Sequence, residues 1–167
     1  VVQGPSTFGE VFIATASDAM QGDLFGWAVD VANATAVITS VSDDNNGDGS
    51  GSAYVFANAN GVWTQQQILV PMDGAPQDQF GFAAATDGTT IVIAANLDDD
   101  RGSGSGSAYV FEFLNNMWME TAKLVPNDGE AAENFGFDVD VDGNTIVGSA
   151  RADDDEGDTS VSVYIFD

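Results

Sequence analysis

The feature that most constrains this chain is a repeat of fixed length. "SGSAYVF" occupies residues 50–56 and again 105–111, and "SVSVYIF" fills 160–166, so each copy follows the last by 55 residues. The same step carries Phe25-Gly26 to Phe80-Gly81 and Phe135-Gly136, and Trp63 to Trp118, without insertion. A period of this length held so strictly is a structural unit that stacks on copies of itself. Inside it, "FGFDVDVDGNTIVGSA" sets Phe135, Phe137, Val139 and Val141 on one face and Asp138, Asp140 and Asp142 on the other, which is the alternation of a half-buried strand. Gly143-Asn144 and Asp87-Gly88 carry hairpin-turn chemistry, and Thr145-Ile146-Val147 returns as a second strand. An acidic Gly/Ser loop leads to the Tyr-Val-Phe strand, and a fourth strand runs from Gly61-Val62-Trp63 to Pro71, matched by Met117-Trp118 to Pro126. No segment carries a helical period. The expected fold is all-β: three four-stranded antiparallel blades, each with strands A to D.

Phe-Gly, an alternating strand, a tight turn, an acidic Gly-rich loop, Gly-Ser-x-Tyr-Val-Phe, then Gly-x-Trp and a Pro-ended strand together resemble the bacterial relatives of the FG-GAP repeat, known from the integrin α-subunit propeller. The resemblance implies β-propeller blades. The Gly-Ala-Pro element is degenerate, reading Thr39-Ser40-Val41, Ala94-Ala95-Asn96 and Ser149-Ala150-Arg151. Such a fold supports adhesion, ligand binding and some enzymes, so function has to be argued from sites.

The phase of the repeat divides the chain into residues 1–24, an orphan D strand and linker; 25–79 and 80–134, two whole repeats; and 135–167, a repeat with A, B and C but no D. Three periods span 165 of the 167 residues, so the N-terminal "GEVFIATASD" is in phase to complete the last blade. Propellers typically need about 4–8 blades, so completion in trans competes with completion in cis. Two chains can close a six-bladed ring, or each can lend residues 11–17 to the next and build a filament. Val11, Phe12 and Ile13 on the donor, and Tyr164, Ile165 and Phe166 on the acceptor, are the expected assembly residues. The start at Val1 equally suits a processed protein or a piece of a longer propeller.

A net charge of -24, from 27 acidic residues against Arg101, Lys123 and Arg151, repels phosphate backbones and anionic membranes, so no nucleic acid is expected as a partner. Such a surface concentrates cations and points to an extracellular, calcium-containing setting. No apolar run approaches the roughly 20 residues of a membrane span, and membrane insertion is not expected. The chain has neither Cys nor His, which removes thiol nucleophiles, disulfides and the commonest general base.

The expected metal ligands lie in the acidic loops. Asp44, Asn46 and Asp48 before Gly49 place oxygens at alternate positions, as calcium loops do. Asp98, Asp99 and Asp100 stand in the second copy, and Asp153, Asp154, Asp155 and Asp158 in the third. Solvated loops that keep the protein soluble are the alternative. Asp30, Asp138 and Asp140 on the A strands are carboxylates of the type glycoside hydrolysis uses, but no nucleophile motif accompanies them and no enzyme is expected. Phe8, Trp63 and Trp118 read as packing between blades, with sugar stacking as the alternative, and Trp27, Phe82 and Phe137 read as core. Asn33-Ala34-Thr35 is an incidental glycosylation sequon. The sequence thus favours an extracellular structural or adhesive protein that associates with itself and binds calcium in its loops; the alternative is a glycan- or protein-binding propeller module.

Overall fold

The structure, a computed structural model, describes residues 9–152 and 160–167. Among the described residues there is no helix, and eleven strands form three antiparallel sheets. The first is β1 (Phe25–Ala32), β2 (Thr35–Ser40), β3 (Ser52–Ala59) and β4 (Val62–Leu69), in sequence order. The second repeats it with β5 (Phe80–Thr86), β6 (Thr90–Ala95), β7 (Ser107–Leu114) and β8 (Met117–Leu124). The third holds β9 (Phe135–Asp142), β10 (Thr145–Ala150) and β11 (Ser162–Phe166), and β11 has no further strand beside it among the described residues. Register recurs as well: Tyr54 faces Ile68 as Tyr109 faces Lys123, with the same one-residue irregularity after Val55 and after Val110.

Alternation along each strand gives every sheet two apolar faces. Val37, Ala53, Val55 and Leu69 of the first sheet pack on Phe80, Ile91, Ile93, Tyr109, Phe111 and Trp118 of the second. Ala83, Ala85, Val92, Ala94, Ala108 and Val110 pack from its other side on Phe135, Val139, Val141 and Ile146 of the third. The A strands β1, β5 and β9 run close together while β4 and β8 barely touch, so the sheets fan outward as blades from a common edge. They do not close into a ring.

The two sequence signatures meet inside each blade. The Phe of Phe-Gly lies edge-on to the Tyr and near the Phe of the Tyr-x-Phe strand, with ring centroids 5.5 and 6.0 Å away for Phe80 and 5.7 and 5.8 Å for Phe135. The glycine beside it seats one blade on the previous one. Gly81 holds φ +100°, and a Cβ there would stand 2.8 Å from the Thr39 side chain; at Gly136 it would stand 2.7 Å from Ala94. The glycine preceding the third strand is as tightly held, because a Cβ on Gly106 would lie 2.1 Å from the carbonyl oxygen of Phe135. Only a hydrogen fits at these positions.

Two expectations need correction. Residues 9–24 form no regular strand, and they lie beside the first blade rather than completing the third in cis: Phe12 approaches Phe56 at 6.1 Å, and Gln65 Nε2 donates to Ser17 Oγ at 2.8 Å. Trp27 and Phe137, expected in the core, are 51% and 38% exposed.

Candidate functional site

The acidic loops owe their shape to their own carboxylates. In the first loop Asp43 Oδ1 accepts from Asn45 N at 2.9 Å and Asp44 Oδ1 from Gly49 N at 2.8 Å. In the second, Asp98 Oδ1 accepts from Asp100 N at 3.1 Å and Asp99 Oδ1 from Gly104 N at 2.8 Å. Asp and Asn are favoured there because their short side chains bond the backbone a few residues on. Asn46 Nδ2 donates to the Pro71 carbonyl at 3.0 Å, and Gln77 Nε2 to Asp48 Oδ2 at 3.1 Å. The three expected ligands of the first loop are thus spent on separate partners. Among the described residues no group of three or more acidic side chains is placed to hold a metal ion, the three carboxylates that do converge being taken up by Lys123. Asp153, Asp154, Asp155 and Asp158 lie outside the described residues.

The second loop instead meets an ammonium. Lys123 Nζ on β8 lies 2.6 Å from Asp100, 2.8 Å from Asp73 and 3.0 Å from Asp98, and sits 4.9 Å from the ring centre of Tyr109. The Tyr109 hydroxyl donates to both Asp98 and Asp73, at 2.8 and 2.9 Å. Burial alone would lower the Lys123 pKa, but hydrogen bonds to Asp100, Asp73 and Asp98 outweigh it and hold the ammonium charged well above its ordinary range. Burial likewise opposes ionisation of Asp73, and the bonds from Lys123 and Tyr109 prevail to lower its pKa. Tyr109 is pushed up, first by burial and then by the Asp98 carboxylate it bonds. The first blade has Asp18, Asp43, Asn45, Tyr54 and Ile68 at the corresponding positions. With no cation there, Tyr54 donates to Asp43 at 2.9 Å, and Asn45 in place of Asp100 leaves one carboxylate fewer to neutralise. Spacing of oxygen ligands drew attention to these loops but did not reveal Lys123, whose column holds Ile68 in the only other complete copy. The recurrence of Asp73 and Asp98 beside each Tyr was the available signal.

Asp30, Asp138 and Asp140 serve the backbone. Asp30 Oδ2 accepts from Thr86 N of the next blade at 2.7 Å, and Asp138 and Asp140 accept from the amides of Val139 and Val141. Trp118 packs between blades as expected, 4% exposed, with its indole N–H donated to Gln66 at 3.2 Å and its backbone paired with the Gln67 amide. Trp63 is half-buried and Phe8 lies outside the described residues. Asn33 Nδ2 donates to the Asp87 carbonyl at 3.0 Å, a contact that a glycan on this nitrogen would disturb. Of the assembly residues, Tyr164 and Phe166 point into the blade interface, whereas Ile165, Val11 and Ile13 are exposed.

A family model of the FG-GAP repeat matches residues 8–56, 63–111 and 118–166. The chain belongs to the FG-GAP repeat family. Each matched segment opens where a D strand begins, or would begin, and closes on the C strand of the following blade, so the family's sequence unit straddles two blades of this FG-GAP array. The unit therefore contains the very glycine contacts that seat one blade on another. No curated protein matches the chain.

Proposed function

We propose that this FG-GAP protein is an extracellular structural or adhesive module, without catalytic activity, that associates head to tail by lending its N-terminal strand. One observation carries the reading: among the described residues no strand lies on the outer side of β11, while residues 9–14, the described part of the repeat equivalents of β4 and β8, belong to no sheet and leave Val11 and Ile13 exposed by 85% and 70%. An edge strand and a β-prone segment outside any sheet are the two elements that a strand-addition joint combines. Light scattering on the purified chain should show mass rising with concentration. Deleting residues 1–18, or replacing Val163 and Ile165 by Lys, should return it to a monomer. A wild-type chain monomeric at every concentration sinks the reading.

Calcium binding is a separate proposal that rests on the loops' oxygen spacing. It requires the Asp44–Gly49 and Asp48–Gln77 bonds to open. A melting temperature raised by calcium and lowered by chelator supports it, and an unchanged one overturns it. A second reading, as a glycan-binding module, is favoured by a half-exposed aromatic row: Trp27 lies 5.9 Å from Phe82, which lies 5.5 Å from Phe137, and Arg151 stacks on the last ring. Glycan-induced quenching of tryptophan fluorescence, lost in Trp27→Ala, would support it.

A further inference from the structure

The second blade neutralises its acidic cluster with Lys123, whereas the first has Ile68 in that column and keeps most of the acid. Asp18, Asp43 and Tyr54 stand one period before Asp73, Asp98 and Tyr109, and Tyr54 pairs with Ile68 as Tyr109 pairs with Lys123. Asp43 is only 5% exposed, yet it forms no ion pair among the described residues. Asn45 N and the Tyr54 hydroxyl donate to its two oxygens, each at 2.9 Å. A buried carboxylate normally has a counter-charge as well as donors.

Two further groups at this spot are left unbonded. Ser40 and Ser52 face each other across β2 and β3, both fully buried, and neither hydroxyl meets hydrogen-bond geometry with any partner among the described residues. Both belong to the same place. Asp43 N donates to the Ser40 carbonyl at 3.2 Å, and Ser52, two residues before Tyr54 on the same face of β3, lies with Asp18 beside the Tyr54 hydroxyl. In the second blade these columns are settled: Ser107 Oγ donates to Asp98 Oδ1 at 3.0 Å, and Ala95 stands where Ser40 does. The first blade has thus lost an ammonium and, at the same point, gained an oxygen. Buried hydroxyls are costly to leave unpaired, and hydroxyl and carboxylate oxygens are the ligands that hard cations take.

From this exchange we infer that the first blade binds a small monovalent cation from solution where the second carries Lys123, with the hydroxyls of Ser40, Ser52 and Tyr54 and the carboxylates of Asp43 and Asp18 as its ligands. Two carboxylates in place of three, with neutral hydroxyls for the rest, suit a single charge rather than calcium. Asp18 is exposed and gives the ion its way in. Neither self-association nor calcium at Asp44, Asn46 and Asp48 is needed for this site.

The test is the melting temperature of the purified chain, with chelator present and at one ionic strength. Sodium, potassium and ammonium chlorides are compared with tetramethylammonium chloride, whose cation is too bulky to reach these oxygens. At least one small cation should raise the melting temperature by a few degrees over tetramethylammonium, and the one that raises it most identifies the ion. Four equal values overturn the site. Ser40→Ala, which copies the second blade, decides by sign. With a cation bound, it lowers the melting temperature in the stabilising salt and not in tetramethylammonium chloride. A hydroxyl that is unpaired in solution makes the variant more stable in every salt, and one held by a bridging water makes it less stable in every salt; either result overturns the proposal. Ile68→Lys combined with Asn45→Asp rebuilds the Lys123 cluster and should abolish the difference between salts. A difference that persists in this variant puts the cation elsewhere and overturns the assignment.

Discussion

At the scale of the residue, two kinds of position carry this protein. Lys123 is the counter-ion of a three-carboxylate cluster in which Asp98 is nearly buried. Removing one partner of a buried pair leaves the other charge uncompensated. Lys123→Met should therefore cost about 2–4 kcal/mol, toward the lower end because Asp73 and Asp100 are half-exposed and screened. Adding Asp100→Asn, which copies the first blade, should recover part of the loss; equilibrium urea denaturation checks both. The pH dependence follows from the same cluster. Asp73 has a folded pKa below its unfolded one, so its contribution is present above the ordinary carboxylate range and is lost as pH falls through the folded value. Lys123 has a raised pKa, so its contribution holds below the ordinary lysine range and is lost at still higher pH. Asp78, raised by burial, works against Asp73 on the acid side. Melting temperature should fall as pH drops below the ordinary carboxylate range, and fall less steeply in Lys123→Met, which removes the largest of the causes that lower the Asp73 pKa. The glycines give a cleaner comparison. Gly26 and Gly81 share a positive φ, but only Gly81 is walled in. Alanine at Gly26 should cost about 1–2 kcal/mol of backbone strain, and at Gly81 clearly more, since a backbone or the Thr39 side chain must move.

At the scale of the element, each blade hangs on the contact between its A strand and its C strand. Phe80 and Phe135 are at most 1% exposed and hold the Tyr and Phe of the C strand at ring-contact distance. Phe135→Ala should cost about 3–5 kcal/mol and loosen the third blade first, because among the described residues that blade has three strands where the others have four. Hydrogen exchange should show β9 to β11 losing protection before β5 to β8 do. The strands themselves were legible beforehand. Strict alternation in "FGFDVDVD" and the hairpin chemistry of Gly143-Asn144 leave few alternatives to β9 and β10, and the 55-residue step transfers the reading to the other blades. Trp27 and Phe137 were misread for a physical reason: alternation assigns each ring a face, but how far that face is covered depends on neighbours that the pattern does not contain.

At the scale of the whole molecule, charge opposes the proposed self-association. A chain of net charge -24 repels its own copies through solvent, and salt screens that repulsion with a Debye length of about 10 Å at 0.1 M. Raising sodium chloride from low to physiological strength should increase the mass seen by light scattering. Replacing sodium by calcium at matched ionic strength separates screening from specific binding: an equal effect assigns the change to screening, and a larger one to the loops.

The sequence alone determined the class, the repeat, the strand order and the phase of both ends, because these are local patterns multiplied by a fixed step. Only the tertiary structure decided how the loop side chains are spent: Asp44 and Asp99 accept from their own backbone, Asn46 and Asp48 meet Pro71 and Gln77, and Asp98 meets Lys123. It also placed residues 9–17 against the first blade, where Phe12 meets Phe56 and Ser17 meets Gln65, rather than beside β11. The reason is distance: those contacts lie about one repeat along the chain, and the Ser17 and Gln65 bond spans 48 residues, whereas β11 lies across two further blades that hold the chain's ends apart.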